Sequence, residues 1–205
     1  MYSYVKRLMD LLISGVSILL LSPILLVIAI CIKLDSKGPI IFKQKRVGAN
    51  KKYFMIYKFR SMYTDAPTNM PTHLLENPTA MITKIGAFLR KTSLDELPQL
   101  FNIFKGEMAI VGPRPALWNQ YDLIEERDKY GANAIRPGLT GWAQINGRDE
   151  LEIEEKAKLD GYYVQNLNAR MDMKCFIGTF FSVIKSEGVV EGGTGNHVKH
   201  RKKDK

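Results

Sequence analysis

The chain opens with one long apolar stretch, and shorter segments of mixed polarity follow it. Residues 11–32 read LLISGVSILLLSPILLVIAICI, 22 residues without a charge. A helix of that length would extend about 33 Å, which is enough to cross a bilayer. The stretch is too long for the apolar part of a signal peptide, and no small-residue cleavage site follows it. The pattern therefore predicts a membrane segment near the N-terminus.

Two features of this segment argue against a simple crossing. Pro23 at its centre removes a backbone donor and is expected to bend or break the helix. Positive residues, which mark the cytoplasmic side, flank both ends: Lys6 and Arg7 before it, and Lys33, Lys37, Lys43, Lys45 and Arg46 after it. A re-entrant hairpin that bends at Ser22-Pro23 and leaves by the same face satisfies both flanks, and a kinked full span is the alternative. The bend needs local compensation of backbone groups, for which the Ser22 hydroxyl is the candidate.

The rest of the chain shows the periodicities of a small mixed domain. Residues 40–62 alternate apolar and basic positions around Gly48-Ala49-Asn50, which predicts a β-hairpin. A Pro-rich loop is predicted at 64–83. Helical patterns follow at 85–90, 94–104 (ended by Gly106), 119–130, 151–167 and 171–185. The last of these is apolar on most faces, so it is expected in the core or at a membrane interface.

We therefore expect a mostly helical α+β fold with three regions. Residues 1–36 form a re-entrant membrane helix-break-helix, and 37–190 form a catalytic domain with a short β-hairpin and interface-lying amphipathic helices. Residues 191–205 form a basic, disordered tail that carries much of the formal net charge of +9. Anionic lipids, phosphorylated substrates and nucleic acid are all partners that such a charge allows. Cys31 and Cys175 are not expected to pair, which fits a reducing, cytoplasm-facing domain.

The chemistry must come from few residue types. The sequence contains no GxxxxGK loop, GxGxxG fingerprint or HExxH motif, and two of its three histidines lie in the tail. Catalysis is therefore expected from carboxylates, Lys and Arg, and a hard metal ion.

The segment TSLDELPQ (92–99) is the densest candidate. Ser93 and Glu96 have the spacing of a capping box, which would satisfy the free N–H groups of a helix and needs nothing from Asp95. In the functional interpretation, the adjacent carboxylates point about 100° apart. One could then attack a phosphorus atom while the other holds Mg²⁺, and the helix N-terminus would favour a bound phosphate. Both interpretations stay open on these residues alone.

Two further segments suggest phosphate binding. In VGPRP (111–115) the flanking prolines restrict Arg114, whose guanidinium could grip a phosphate, although a rigid surface turn explains the same pattern. RPGLTGWAQINGR (136–148) holds three glycines between two arginines, which suggests a ligand-shaped loop or an ordinary connection. Asp160 precedes Gly161-Tyr162-Tyr163 and would ordinarily be a surface or capping acid.

Together, KFRSM (58–62), LRKTSLDELPQLFNIFKGEMAIVGPRP (89–115), RPGLTGWAQINGR (136–148) and LDGYYVQN (159–166) resemble the monotopic phosphoglycosyl transferases of bacteria. The resemblance runs in family order from the membrane segment to about residue 187. It implies transfer of a sugar 1-phosphate from a UDP-sugar to undecaprenyl phosphate, with release of UMP and with Mg²⁺ as cofactor. The location implied is the cytoplasmic face of the bacterial inner membrane, with anionic lipids around the protein and no nucleic-acid partner.

The resemblance also assigns residues. Asp95 would be the nucleophile that forms a covalent phosphosugar intermediate, and Glu96 would hold the metal beside it. Ser22-Pro23 matches the bend of the family's re-entrant helix. Positions expected to bind substrate or its phosphates are Lys58, Arg90, Arg114, Arg136, Arg148 and Asp160. By similarity to the small members, the sugar would be N,N′-diacetylbacillosamine and the pathway protein N-glycosylation, with N-acetylhexosamines or galactose as alternatives.

A different class of function is also compatible with a basic, membrane-anchored chain. A tethered lipid or nucleic-acid binder would keep its binding after Asp95→Asn and would never release UMP. A polytopic transferase is disfavoured because the chain has one apolar segment where that class needs many.

Overall fold

The computed structural model describes residues 2–67, 78–147 and 151–185. The helices are α1 (Tyr2–Asp35), α2 (Pro78–Met81), α3 (Lys84–Lys91), α4 (Gln99–Lys105), α5 (Tyr121–Asp128), α6 (Trp142–Ile145), α7 (Ile153–Gln165) and α8 (Ala169–Lys185). The strands are β1 (Ile41–Val47), β2 (Tyr53–Phe59), β3 (Ala109–Val111) and β4 (Gly138–Thr140), and 3₁₀ turns lie at Ala49–Lys51, Leu94–Glu96 and Ala132–Ala134. The expected mostly helical α+β class is confirmed. The predicted tail at 191–205 and part of the predicted loop, 68–77, lie outside the described residues.

Helix α1 differs from the predicted helix-break-helix because it continues through Pro23. A proline at this position cannot donate the backbone hydrogen bond that the carbonyl of Leu19, four residues earlier, would otherwise accept. The Ser22 hydroxyl donates to that carbonyl instead, at 2.8 Å. The compensation expected from Ser22 is therefore present, and it keeps the helix intact where the sequence predicted an interruption.

The N-terminal half of α1 is fastened to the rest of the protein. The Arg7 guanidinium donates to the carbonyls of Ile103 and Phe104 at 2.7 and 2.9 Å, which are among the last carbonyls of α4. Lys6 forms an ion pair of 2.7 Å with Asp172 of α8. The two positive residues that precede the apolar stretch are therefore engaged in contacts with the domain.

The C-terminal end of α1 is fastened to the same domain. Arg60, which follows β2, is buried and donates to the carbonyls of Ile32 and Ser36 and to that of Lys37. A cation there also offsets the partial negative charge of the helix C-terminus. Asp35 accepts a hydrogen bond from the backbone N–H of Ile85 at the start of α3. Both ends of α1 therefore contact one compact unit.

Most of the apolar surface of α1 is nevertheless exposed. Only 11% of its most apolar 18-residue window is buried, and the helix is long and apolar enough to cross a membrane. Other exposed large apolar side chains lie on α3, α4 and α8: Phe88, Phe101, Phe104, Met173, Phe176, Ile177, Phe180 and Phe181. Exposed apolar surface of this extent marks a contact surface, and the long apolar helix indicates membrane association.

The predicted β-hairpin is confirmed, and it carries Lys58 at its end. β1 and β2 pair antiparallel, with Phe42 opposite Lys58 and Gln44 opposite Ile56. Helix α4 is locked onto β2 by Asn102, which is fully buried. Its side chain donates to the Met55 carbonyl at 2.8 Å and accepts from the Tyr57 N–H at 3.0 Å. These bonds fix Lys58 relative to the residues that precede α4.

The segment 136–148 was expected to be a loop, but it contains a strand and a helix. β4 pairs parallel with β3, with Ala109 opposite Gly138 and Val111 opposite Thr140. The backbones approach so closely that a Cβ atom on Gly138 would lie 2.1 Å from the Gly112 nitrogen. A Cβ on Gly141 would lie 2.1 Å from the Gly112 oxygen. Gly138 and Gly141 are therefore explained by their close approach to Gly112, two residues before Arg114.

Candidate active site

Asp95 and Glu96 lie on the 3₁₀ turn Leu94–Glu96, between α3 and α4. Ser93 enters the turn with a φ of +57°, a left-handed conformation that non-glycine residues adopt at a cost. The Ser93 side chain makes no capping hydrogen bond to this turn. The capping-box interpretation is therefore wrong, and the Glu96 side chain is directed to other partners.

The Glu96 carboxylate is the meeting point of two cations. Lys58 Nζ lies 2.7 Å and Arg114 Nη2 lies 2.9 Å from the same oxygen, Oε1. Lys58 comes from the end of β2, and Arg114 follows β3. Burial alone would raise the pKa of Glu96, but Arg114 and Lys58 outweigh it and hold that pKa well below its ordinary value. Glu96 is therefore a permanent anion at neutral pH.

Asp95 has the opposite electrostatic character. It is buried, with 7% of its surface exposed. Burial raises the pKa of Asp95, and the negative charge of Glu96 adds to this effect, against the opposing effects of Lys58, Arg90 and Arg114. Two adjacent carboxylates whose pKa values are moved apart by their surroundings are suited to different tasks.

The loop that carries Arg114 is held through its backbone. Arg127 of α5 donates to the Arg114 carbonyl at 2.9 Å, and Arg46 of β1 donates to the Pro115 carbonyl at 3.0 Å. The backbone N–H of Val47 also donates to the Ala116 carbonyl. The backbone around Arg114 is therefore fixed by hydrogen bonds from α5 and β1, in addition to the restriction that Pro113 and Pro115 impose.

Asp160 holds Arg127 in place. Its Oδ2 atom accepts from Arg127 Nε at 2.8 Å and from Nη2 at 2.6 Å, and both side chains are almost fully buried. Burial raises the pKa of Asp160, whereas Arg127 lowers it. Asp160 was expected to bind substrate. In the structure it contacts Arg127, and Arg127 in turn holds the loop that carries Arg114.

Two cavities meet at the dyad. A cavity of about 220 Å³ is lined by the charged side chains of Asp95, Lys58 and Arg90, together with residues of β1 and of the segment after β2. A second cavity of about 310 Å³ is lined by Glu96 and Ser93 and otherwise mainly by apolar side chains from α8 and the segment 139–145. Asp95 and Glu96 thus border different spaces.

Three predicted site residues remain, and each has a different outcome. Arg90 lies on α3, whose start is capped by Thr83, and borders the same cavity as Asp95. Arg136 donates to the Gly106 carbonyl at 2.9 Å and borders neither cavity. Arg148 lies outside the described residues. Its binding role and that of Arg136 stay predictions.

Sequence reasoning missed three residues that build the site. Asn102 and Arg127 are buried polar side chains on helices, and Arg46 was counted only as a positive flank. A polar residue on the apolar face of a helix, as Asn102 is among Leu100 and Ile103, was the available signal, because such groups are buried only with partners.

The chemistry of the dyad is compatible with Mg²⁺. Within the described residues, no group of three or more His, Cys, Asp or Glu side chains could hold a metal ion. Mg²⁺ usually keeps several waters and binds one or two carboxylates plus substrate phosphates, which the dyad can supply. Lys58 and Arg114 both donate to Oε1 of Glu96, so the cations and the carboxylates that Mg²⁺ could use are next to one another.

Comparison with known proteins identifies relatives along nearly the whole chain. An undecaprenyl-phosphate glucose phosphotransferase of Komagataeibacter xylinus is 41% identical over 192 residues, which cover 89% of this chain and 35% of that relative. A UDP-N-acetylgalactosamine-undecaprenyl-phosphate N-acetylgalactosaminephosphotransferase of Aeromonas hydrophila is 34% identical over 195 residues, 91% of this chain and 45% of the relative. The chain thus spans less than half the length of these two proteins.

A relative of similar size also exists. An uncharacterized sugar transferase of Bacillus subtilis is 39% identical over 193 residues, which cover 94% of this chain and 92% of that protein. The family of bacterial sugar transferases matches residues 1–186. This match includes α1, the dyad and both arginine-bearing segments, and the chain belongs to the bacterial sugar transferase family.

Proposed function

We propose that this protein transfers a sugar 1-phosphate from a UDP-sugar to undecaprenyl phosphate and releases UMP. The observation that carries the proposal is the buried Asp95 beside an anionic Glu96 that is held by Lys58 and Arg114. Membership of the bacterial sugar transferase family and the names of the relatives support the same reaction.

The first half of the reaction forms an aspartyl phosphosugar. A carboxylate oxygen of Asp95 attacks the phosphorus that carries the sugar, the bond from that phosphorus to the bridging oxygen breaks, and UMP leaves with the electron pair. An anionic nucleophile attacks an anionic diphosphate only where cations offset the charge. Lys58, Arg90 and Arg114 are the cations around the dyad that can do so.

The second half uses the lipid acceptor. A phosphate oxygen of undecaprenyl phosphate attacks the same phosphorus, and the acyl phosphate bond breaks to return the Asp95 carboxylate. The product is the undecaprenyl diphosphate sugar. For both halves we propose Mg²⁺ as cofactor, held by Glu96 with Asp95 beside it, where it would neutralise phosphate charge.

The sugar is the least constrained part of the proposal. We propose N,N′-diacetylbacillosamine as the first candidate, with assembly of a protein N-glycan as the pathway, on the likeness of the motifs to small family members. The names of relatives specify glucose and N-acetylgalactosamine for those proteins, so these two sugars are the necessary comparison.

A panel assay tests the reaction. Purified protein in undecaprenyl-phosphate vesicles with Mg²⁺ is given UDP-linked diacetylbacillosamine, glucose, N-acetylglucosamine and N-acetylgalactosamine in turn, and UMP and lipid-linked sugar are measured. We expect stoichiometric UMP and lipid product with one sugar and loss of both on chelation. Binding of lipid without UMP release from any UDP-sugar would contradict the proposal and favour a tethered binding module.

For the membrane arrangement we propose that α1 is re-entrant and bends at Ser22-Pro23 without losing its helical structure, with both of its ends at the cytoplasmic face. A straight 34-residue helix extends about 51 Å, so its ends would lie on opposite sides if it crossed the bilayer. Lys6 contacts α8 and Asp35 contacts α3, and both helices belong to one packed unit. A crossing would force parts of that unit through the membrane.

Cysteine labelling tests this arrangement. Tyr4→Cys and Leu34→Cys, at positions 85% and 82% exposed, are introduced into a Cys31→Ser background, in which the buried Cys175 stays unreactive. A membrane-impermeant maleimide should label both positions in inside-out vesicles and neither in right-side-out vesicles. Labelling of the two positions from opposite sides would exclude the re-entrant arrangement.

A further inference from the structure

The two cavities beside the dyad differ in chemical character. The cavity at Asp95 has cationic walls, with Lys58 and Arg90, and suits phosphates. The cavity at Glu96 is walled mainly by apolar side chains from four parts of the chain: Leu97, Ile110, Leu139, Ile145, Phe176 and Phe180. A reaction that joins a polar donor to a lipid acceptor needs both kinds of space within reach of one residue.

We propose that the apolar cavity binds the first isoprene units of the polyprenyl phosphate acceptor, an assignment that rests on the proposed function. The acceptor phosphate would then lie at the Glu96 wall, next to Lys58 and Arg114, which both contact Glu96. A volume of about 310 Å³ is at the small end of ligand sites, so it would take only the start of the chain. The remaining units would stay in the bilayer.

The position of the cavity on the protein fits entry from a membrane. Phe176 and Phe180 border the cavity, yet they are 57% and 66% exposed. They belong to the apolar surface of α8 that also includes Ile177 and Phe181. An isoprenoid chain could therefore pass from the bilayer into the cavity along continuous apolar surface, without crossing water.

Another part of the wall belongs to an apolar cluster that includes residues of α1. Leu97, Ile110 and Leu139 pack in one apolar cluster with Ile18 and Leu21 of α1. One part of the cavity wall therefore belongs to the same apolar cluster as α1, and another part belongs to α8, so the wall is continuous with the two helices that expose much apolar surface. This is the position expected for a lipid site and not for a site that draws a nucleotide from water.

The polar groups of the wall are largely engaged with the protein. The hydroxyls of Thr140 and Thr179 bond to each other, and Thr179 also bonds to the Cys175 carbonyl at 2.7 Å. Gln144 Nε2 donates to the Leu139 carbonyl, whereas its Oε1 is buried and has no partner among the described residues. A sugar hydroxyl of the donor could use that oxygen, so the sugar is the competing occupant.

A matched pair of double variants separates these occupants. Phe176→Ser with Phe180→Ser removes two apolar side chains that border the cavity. Ile177→Ser with Phe181→Ser removes two from the same helix that are similarly exposed and do not border it. Both should bind vesicles equally, as measured by flotation. We expect the cavity pair to raise KM for undecaprenyl phosphate at least about tenfold over the control pair, with KM for the UDP-sugar unchanged.

Equal KM values in the two double variants, or an increase confined to the UDP-sugar, would overturn the assignment. A second measurement uses the unaltered protein and so does not depend on whether the variants fold. A polyprenyl phosphate with a photoreactive group on its second isoprene unit should label peptides from 139–145 or 176–180. Labelling confined to β1 and β2 would also overturn it. Absence of turnover by the unaltered protein would instead contradict the proposed function itself.

Discussion

Asp95 and Glu96 are consecutive in the chain, yet they border different cavities and their pKa values are moved in opposite directions. The two residues lie on one 3₁₀ turn, and Lys58 and Arg114 both form ion pairs with Glu96. Glu96 is therefore a fixed anion that organises the cations. The negative charge of Asp95 is destabilised by burial in the folded protein. Carboxylates with pKa values perturbed in this way are common at reactive sites.

Asp95→Asn should abolish turnover and stabilise the fold. We expect activity to fall by at least about a thousandfold, because the proposed nucleophile is lost. The pKa of Asp95 is raised by folding, so its ionisation begins to oppose folding above the pKa of an unfolded aspartate, and the full cost is reached above the folded pKa. The neutral asparagine removes that opposition, so Tm at pH 7 should rise, and the gain should vanish once the pH is low enough to protonate the aspartate in both states.

The exposed Asp122 of α5 provides the matched control, since Asp122→Asn makes the same chemical change away from the dyad. It should leave both turnover and Tm near those of the unaltered protein. Product formation by Asp95→Asn at an undiminished rate would exclude Asp95 as the nucleophile, and a lower Tm at pH 7 would contradict the cost of its burial.

The pH dependence of turnover should report Asp95. The proposed reaction requires the ionised carboxylate, so kcat/KM for the UDP-sugar should fall on the acid side at a pH above that of an ordinary aspartate. Lys58 is the strongest of the groups that lower this pKa, and Lys58→Met should move the acid limb to still higher pH. Rates normalised to their own maxima measure the shift separately from the loss of activity.

Lys43 is a suitable control because it lies on the same hairpin, with its ammonium 5.6 Å from the centre of the Tyr57 ring, and does not contact the dyad. Lys43→Met should leave the profile unchanged. An acid limb that stays in place in Lys58→Met would mean that another group controls the profile.

The sequence predicted those parts of the structure that depend on neighbouring residues. The hairpin around Gly48, the helix at 84–91 and the end of α4 at Gly106 follow from local periodicity and turn chemistry. The likeness of the motifs to a family brought Asp95, Glu96, Lys58, Arg90 and Arg114 to one candidate site. The structure places Lys58, Arg90 and Arg114 beside the Asp95–Glu96 dyad.

The parts that were missed depend on contacts between distant residues. β3 and β4 are three residues each, too short for a periodic signal, and they pair only because Gly138 and Gly141 allow close approach to Gly112. Ser93 has the spacing of a capping residue, but its left-handed backbone turns it away from that task. The partner of Asp160 lies 33 residues earlier, at Arg127, and no local pattern specifies it.

Loss of the buried ion pair should be much more costly than loss of a surface pair. Asp160→Asn leaves Arg127 charged and buried without its carboxylate, which costs on the order of 3–5 kcal/mol. The exposed Lys51–Asp128 pair joins the hairpin turn to the same α5 helix, so Lys51→Met is a matched control that should cost under about 1 kcal/mol. Denaturant unfolding in detergent micelles measures both.

Asp160→Asn should also lower activity through Arg114, because Arg127 holds the Arg114 carbonyl. The effect should appear mainly in KM for the UDP-sugar if Arg114 binds its phosphates. If the two variants were equally stable and equally active, the positioning role of the Arg127–Asp160 pair would be wrong.

Ser22 should be needed because Pro23 is present. The Ser22 hydroxyl satisfies the Leu19 carbonyl that proline leaves without a backbone donor, and Ser22→Ala would leave that carbonyl unpaired in an apolar setting. We expect a loss of about 1–3 kcal/mol in stability. The double change Ser22→Ala with Pro23→Ala should recover the lost stability, because alanine restores the backbone donor.

Ser17→Ala is the control, since Ser17 lies on the same helix and has no comparable hydrogen bond among the described residues. A single Ser22→Ala variant as stable as the control would show that water or lipid headgroups reach Leu19, which would place the centre of α1 at the membrane surface and not within the bilayer.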